Sequence, residues 1–525
     1  MIWNSTDVPL SAYVPPLRKQ RGGSAYACAP SPFTERGLGG EVDTDFPNTL
    51  FRNLTGSITV FYCNAPSIPN LEDSGGHQRP AEGTASQASA LAGGTRDALA
   101  CGTAPSLVVG NASRTPNEKP VRVLMLSWEY PPRIVGGIAR HVQELSEALA
   151  EQGVEVHVVT ASHPNTPNEA TECGVHLHRV GIPPQPGSDF LQGVYALNAT
   201  LQSRAEALID EWLSGGSPKA GEPLFLHAHD WLVCPAGRAL KHTYHLPLVA
   251  TIHATEHGRH GGIHNDLSRA IHQIEWELGY EAWRIVVCTH YMLGEVHHGL
   301  GVPVDKLDIV PNGIRSEKFA FEFPEEERAQ FRARYAPPDA PLVFFVGRMV
   351  REKGVQVLLQ AFLAVKARYP NARLVIAGGG YRAHLEQFVR FARLEDSVIF
   401  TGFIPDDELM KLYRVVDVAV YPSLYEPFGI VALEAMAVGV PVVVSDAGGL
   451  KEVVWHEQTG IVTWAGNPDS LAWGILRVLD DPESAKVRVQ NALHTVQTEF
   501  NWQTIARQTR RVYERIWSEY LRVDW

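Results

Sequence analysis

A chain of 525 residues exceeds one ordinary domain, and length alone predicts roughly three. Apolar residues make up 45% and charged residues 20%, a globular balance with material for more than one core. The net charge of −12 speaks against a nucleic-acid partner, although a whole-chain sum hides local basic sites. The six cysteines, Cys28, Cys63, Cys101, Cys173, Cys234 and Cys288, form no C-x-x-C pair. Neither a zinc ribbon nor a compact disulfide framework is expected, and scattered thiols fit a reducing compartment. No apolar run approaches a membrane span. The start, MIWNSTDVPLSAYVPPLRKQ, has no basic segment followed by an apolar one, so no signal peptide is read and the expected address is cytoplasmic.

Residues 1–120 are rich in Gly, Pro, Ser, Ala and Thr and carry no sustained period of 2 or 3.6. They read as a low-complexity, disordered extension with at most a short strand at GSITVFYC, or as a start assigned too far upstream. From Val121 the punctuation changes. VRVLMLS, VEVHVVT, LFLHAHD, PLVATIH and RIVVCTH are short β-branched runs alternating with helix-period stretches, the pattern of βαβ units around a parallel sheet. In the helix predicted over Ile138 to Gln152, Val142, Leu145 and Leu149 recur at spacings of three and four, with Gly153 as the C′ glycine. A second series follows IVPNGI: LVFFVGR, RLVIAGGG, SVIFTGF, DVAVYPS and PVVVSDAGG. The predicted architecture is therefore α/β, two Rossmann-like doubly wound halves over 121–315 and 316–501. The last helix, about 502–522, crosses back to the first half. Two such sheets facing one another form a cleft beyond their strands' carboxyl ends, where ligands bind.

The strongest local signal is Glu426-Pro427-Phe428-Gly429-Ile430-Val431-Ala432-Leu433-Glu434, two carboxylates separated by seven residues. It follows the strand DVAVYPS, and Gly429-Ile430 open a helix whose backbone amides suit a diphosphate or sugar hydroxyls. Glu426 lies in the loop, placed to accept from a sugar ring, and Glu434, about one turn into the helix, within reach of a ribose. Read singly, both are ordinary solvated carboxylates; the strand–turn–helix context favours a site. Gly347-Arg348 follow LVFFV, with Lys353 five residues beyond Arg348.

E-x7-E preceded by G-R-x4-K resembles the retaining GT-B glycosyltransferases of family four, over about Val121 to the C-terminus. The resemblance implies that Arg348 and Lys353 contact the donor diphosphate, and fixed cations there stabilise the charge building on the leaving group without a metal. It implies that His253, ending PLVATIH, contacts the transferred sugar, and that Gly136-Gly137, after Trp128-Glu129-Tyr130-Pro131-Pro132, bring backbone against the donor phosphate. Gly378, in the triple-glycine turn after RLVIA, resembles the turn beside the nucleotide; Asp446-Ala447-Gly448-Gly449 similarly precede a helix. The glucan synthases of the related family five carry K-x-G-G-L where this chain has Ile134, so family four is favoured. The loop is not G-x-G-x-x-G, which disfavours a nicotinamide dehydrogenase.

Asp230 reads equally as an N-cap of the following helix and as a sugar contact. His257, His260 and His264 invite a zinc reading, but Gly258, Gly261 and Gly262 are expected to break any helix aligning them, so no metal is expected. Arg259 in that loop is placed toward the cleft. The predicted activity is a retaining hexosyl transfer, without cofactor, from a nucleotide diphosphate sugar, ADP- or UDP-glucose, to a glycan such as an α-1,4-glucan, as in the glycogen-synthase-like members. A lipid, cell-surface glycan or small-molecule acceptor is the alternative; the basic amphipathic helix expected of lipid-acceptor enzymes is absent from Ile138 to Gln152. A nucleotide-sugar 2-epimerase would isomerise its substrate without acceptor. A silent sugar-nucleotide binding protein would not need Glu426, Glu434, Arg348 and Lys353 intact.

Overall fold

The computed structural model describes residues 121–524 apart from 186, 188, 189, 215 and 217, together with two short strands, β1 (Phe51–Arg52) and β2 (Ile58–Thr59). These two pair antiparallel; of the expected strand at GSITVFYC, Ile58–Thr59 are the described residues and are strand. The expectation of a disordered extension over 1–120 otherwise lies outside the described residues. The chain divides into two compact units, Met1–Arg96 and Asp97–Trp525, and the second holds everything that follows.

Two sheets organise this unit. The first contains β3 (Arg122–Ser127), β4 (Glu155–Ala161), β5 (Glu169–Glu172), β6 (Val175–Val180), β7 (Leu224–His229), β8 (Leu248–Ile252), β9 (Arg284–Val287) and β10 (Leu307–Ile309), in the order β10-β9-β8-β7-β3-β4-β6-β5. The second contains β11 (Leu342–Val346), β12 (Arg373–Ala377), β13 (Val398–Gly402), β14 (Val418–Tyr421), β15 (Val442–Ser445) and β16 (Ile461–Thr463), in the order β13-β12-β11-β14-β15-β16. The central strands are buried end to end because helices cover both faces, which is why they read as unbroken apolar runs.

The first sheet is not wholly parallel: β5 pairs antiparallel with β6. Cys173 and Gly174 both have positive φ, 47° and 81°, forming the two-residue connection a tight hairpin requires. EATE carries no apolar alternation, since this edge strand is largely exposed, and pattern reading passes over it.

The helices are α1 (Gly137–Glu151), α2 (Phe190–Leu213), α3 (Cys234–Tyr244), α4 (Glu256–His260), α5 (Asp266–Glu281), α6 (His290–Leu300), α7 (Glu325–Ala333), α8 (Val355–Arg368), α9 (Ala383–Phe391), α10 (Asp406–Tyr413), α11 (Ile430–Val438), α12 (Leu450–Val453), α13 (Pro468–Leu479), α14 (Pro482–Thr498) and α15 (Trp502–Tyr520). No described helix is long and apolar enough to cross a membrane. Asn501 caps α15 through its side chain, and the buried stripe Ile505, Val512, Tyr513 and Ile516 lies on the first sheet's side. Tyr513 stacks on Phe225 at 5.1 Å between ring centroids, and its hydroxyl meets His227 Nδ1 at 2.7 Å. The chain therefore returns to the first sheet after completing the second. The outgoing and returning segments run side by side, with Ile314 N donating to Phe500 O at 2.7 Å. A Cβ on Gly313 would stand 2.7 Å from the Trp502 indole, so this approach needs glycine.

Candidate functional site

The cleft is built from loops at the carboxyl ends of the strands. Trp128-Glu129 follow β3, Asp230 follows β7, His253 follows β8 and Thr289 lies just beyond β9. From the second sheet come Gly347 after β11, Gly378 after β12, Ser423 to Glu426 beyond β14 and Asp446 after β15. The lobes touch across this line. Thr289 Oγ1 donates to Pro427 O at 3.0 Å, the Glu452 carboxylate accepts from the amides of His290 and Tyr291 at 2.8 Å each, and Tyr425 Oη donates to Glu295 at 2.8 Å.

Four of the helices beginning at the cleft share a start. α1, α8, α11 and α12 have Gly136, Gly354, Gly429 and Gly449 at the N-cap, with no side-chain cap among the described residues. By contrast α4, α5 and α6 are capped by Thr255, Asn265 and Thr289. Glycine leaves first-turn amides open to an anion. The first glycine loop is partly occupied already: the Glu129 carboxylate, 1% exposed, accepts from Val135 N at 2.6 Å and Gly136 N at 3.2 Å. Burial pushes that carboxyl up, against the pull of these two amides. Gly137 instead faces the other lobe, where a Cβ would lie 3.3 Å from Ile430 Cδ1.

On the second lobe Lys353 Nζ donates to Glu426 Oε2 at 2.6 Å, and Ser423 Oγ reaches the same oxygen at 3.3 Å. The Arg348 side chain is 60% exposed and meets only Glu352, at 3.4 Å, among the ion pairs of the described residues. Gly378 has φ +126°, and a Cβ there would lie 1.9 Å from Gly347 O; the glycine turn thus lies directly on the loop carrying Arg348. Phe428 is 4% exposed, packed on Phe500 with ring centroids 6.0 Å apart, so its side chain belongs to the core. Gly429, φ +107°, turns the chain into α11.

Glu434 differs from the helix-surface position its spacing suggests. It is 5% exposed, accepts from Arg140 Nη1 at 2.8 Å and Tyr413 Oη at 3.1 Å, and burial raises its pKa while Arg140 and Tyr413 oppose the rise. Arg140 also holds Asp406 at 2.7 Å, joining α1 to both α10 and α11.

On the first lobe the N-cap reading of Asp230 is corrected. Its side chain makes no capping bond; Oδ1 accepts from His253 N at 3.0 Å, and Oδ2 lies 3.4 Å from Arg259 Nη2. Its own φ is +64°, a strained conformation for a non-glycine residue. Of the glycines expected to break the HATEHGRHGGIH segment, Gly258 lies inside α4, whereas the helix stops at His260 with Gly261 as its left-handed C-cap and leaves His264 outside it. A Cβ on Gly258 would meet Glu295 and Tyr425 within 2.5 Å, so the glycine admits the partner lobe's tyrosine.

The structure also gathers around His253 two histidines that sequence reasoning did not single out. The rings of His141 and His253 lie 4.6 Å apart, and His229 stacks near His253 at 5.7 Å. His141 Nδ1 contacts Asn312 Oδ1 at 2.7 Å. Burial, then neighbouring His227, pushes the His253 imidazole down to about 3; burial lowers His141 and His229 as well. At neutral pH these rings are uncharged. His229 was legible as the second histidine of HAHD, one strand from His253; His141, inside an amphipathic helix, gave no signal.

Comparison with known proteins places this geometry in context. The family model described as "Glycosyltransferase Family 4" matches residues 135–318, and "Glycosyl transferases group 1" matches 326–495. An uncharacterized glycosyltransferase of Methanocaldococcus jannaschii is 38% identical over 75% of this chain and 98% of its own length. A glycogen synthase of Mycobacterium tuberculosis is 36% identical over 75% of this chain and 94% of its own. Among solved structures, sucrose-phosphate synthase from Thermosynechococcus elongatus superposes with a TM-score of 0.63 at 25% identity, covering 76% of this chain and all (100%) of that one.

Proposed function

Since the chain belongs to the family-four glycosyltransferases of the GT-B fold, we propose that it transfers glucose from ADP- or UDP-glucose to an α-glucan, with retention of configuration. The observation that carries this reading is the Lys353–Glu426 pair, 2.6 Å apart, beside the uncapped start of α11. Breaking the sugar–phosphate bond builds negative charge on the departing diphosphate. Lys353, Arg348 and the first amides of α11 are positive groups gathered at one point to stabilise this charge. A phosphate arriving at Lys353 replaces Glu426 as its partner, and the freed carboxylate accepts from hydroxyls of the sugar. The neutral His253 ring donates to the sugar without adding a competing cation. The acceptor attacks from the face the diphosphate leaves, and the departing phosphate oxygen takes the acceptor hydroxyl's proton. The relation to a glycogen synthase supports glucose as donor sugar and a glucan as acceptor.

The test is diphosphate release from ADP-, UDP- and GDP-sugars, with and without a glycogen or malto-oligosaccharide primer. Primer-dependent release from ADP- or UDP-glucose, with an α-anomeric product by NMR, is expected. Release that ignores primer would move the acceptor to a small molecule or lipid. Isomerised sugar without acceptor would replace transfer by epimerisation.

A further inference from the structure

His141, His229 and His253 come from three separate elements, α1, β7 and the end of β8, and meet at the floor of the cleft. One nitrogen from each lies within 4.8 Å of the others. His229 Nδ1 and His253 Nε2 are 3.4 Å apart. A metal–nitrogen distance of about 2.0–2.1 Å sets tetrahedral ligand nitrogens roughly 3.3–3.4 Å apart, so this edge already has the required length. His141 Nδ1 is engaged by Asn312 Oδ1 at 2.7 Å. An amide oxygen accepts, so the ring's proton is on Nδ1 and the Nε2 lone pair is bare. His141 Nε2 is buried with no partner among the described residues. A histidine whose other nitrogen donates to a fixed oxygen is the usual orientation of a metal ligand. His227, stacked 4.3 Å from His229, is outside the set, because Tyr513 and Thr251 satisfy both its nitrogens at 2.7 Å each.

We propose that His141, His229 and His253 form a three-histidine site for a divalent transition cation such as Zn2+, which shuts off transfer by taking His253 away from the sugar. Imidazole-only ligation suits zinc and its neighbours and not magnesium or calcium. His253 is the least buried of the three, so an ion would reach the set from its side. The inhibitory half rests on the role given to His253 above; the binding half does not.

The experiment uses the full chain, stripped with a chelator and titrated with Co2+. One Co2+ per chain is expected, with the visible d–d bands of a tetrahedral ion, bleached by Zn2+. His253→Gln and His141→Gln are expected to abolish the bands, and Asn312→Ala to weaken binding about 10–100-fold by releasing the His141 ring. A triple change at His257, His260 and His264 to Gln is expected to leave the bands intact. His141 is deeply buried, so if His141→Gln does not fold, His253→Gln and Asn312→Ala carry the decision. No stoichiometric binding, bands that survive His253→Gln, or bands lost in the triple variant would each overturn the site. Zn2+ binding that leaves glucose transfer unchanged would keep the site and overturn instead the placement of His253 at the sugar.

Discussion

Glu426 is a buried carboxylate in the loop before α11. The residue is 8% exposed and its carboxylate is held by Lys353 and Ser423, so the charge is matched inside the protein. Glu426→Gln keeps the shape and removes the charge. Nucleotide affinity is expected to persist while turnover falls on the order of 10²–10³-fold, checked by nucleotide titration beside steady-state rates. Lost affinity with normal turnover would sink the positioning role. Glu275 offers a test away from the reacting atoms. It is 2% exposed, accepts from Glu256 N at 2.7 Å, and burial pushes its carboxyl up to about 8. An unfolded glutamate ionises near 4.3, so the unfolded chain releases this proton first as pH rises. The stability Glu275 contributes is complete below about pH 4 and is lost progressively up to about pH 8, by up to about 1.4 kcal/mol per pH unit. Glu275→Gln removes that slope: urea midpoints of the two proteins at pH 5 and pH 8 are expected to diverge in the variant's favour at the higher pH.

At the scale of elements, the glycines at the cleft fix loops rather than loosen them. Gly354 has φ +69°, and a Cβ there would stand 1.9 Å from Pro422 O. Its turn sits between the Glu352 carbonyl, which accepts from Leu424 and Tyr425, and the start of α8. Gly354→Ala is expected to cost about 2 kcal/mol or more, since both backbone conformation and backbone contact are lost. Thermal unfolding reads this cost, and turnover is expected to fall at least tenfold as the loop carrying Lys353 is moved out of place. The extent of α1 was legible, because Val142, Leu145 and Leu149 mark its buried face; the helix starts and ends one residue earlier than its pattern suggested. The strands β3, β4, β7, β8 and β9 were legible from their apolar runs. β5, β6, β10 and β16 were not: β5 is polar, β6 (VHLHRV) has histidines and an arginine among its apolar residues, and β10 and β16 have only three residues each, too few for a period to appear.

Across the whole molecule the two lobes are joined by buried polar contacts, and Arg140 is central among them. It binds Glu434 and Asp406 from the opposite lobe, and Glu434 is too buried to find water in its place. Arg140→Ala leaves that carboxylate with Tyr413 alone. A loss of about 1–3 kcal/mol is expected, below the full cost of a buried pair because the Arg140 side chain is one-third (34%) exposed. The lobes should also part: an increased radius of gyration in solution scattering of the nucleotide-free protein is the expected sign. An unchanged radius and melting temperature would show that the Thr289, Tyr425 and Glu452 contacts suffice.

The sequence alone determined the class of fold and the loops bearing Arg348, Lys353, Glu426 and His253, because apolar runs fix strands and E-x7-E after a strand fixes a loop and a helix start. These are local properties, written over ten residues or fewer. Only the tertiary structure decided what those loops meet. That Glu434 pairs with Arg140, that Glu129 holds the amides of Val135 and Gly136, that Asp230 braces His253 and not a helix, and that His141 joins His229 are all consequences of packing. Their partners lie up to 294 residues apart, and no periodicity spans such a distance; burial and charge pairing choose among them once the sheets have formed.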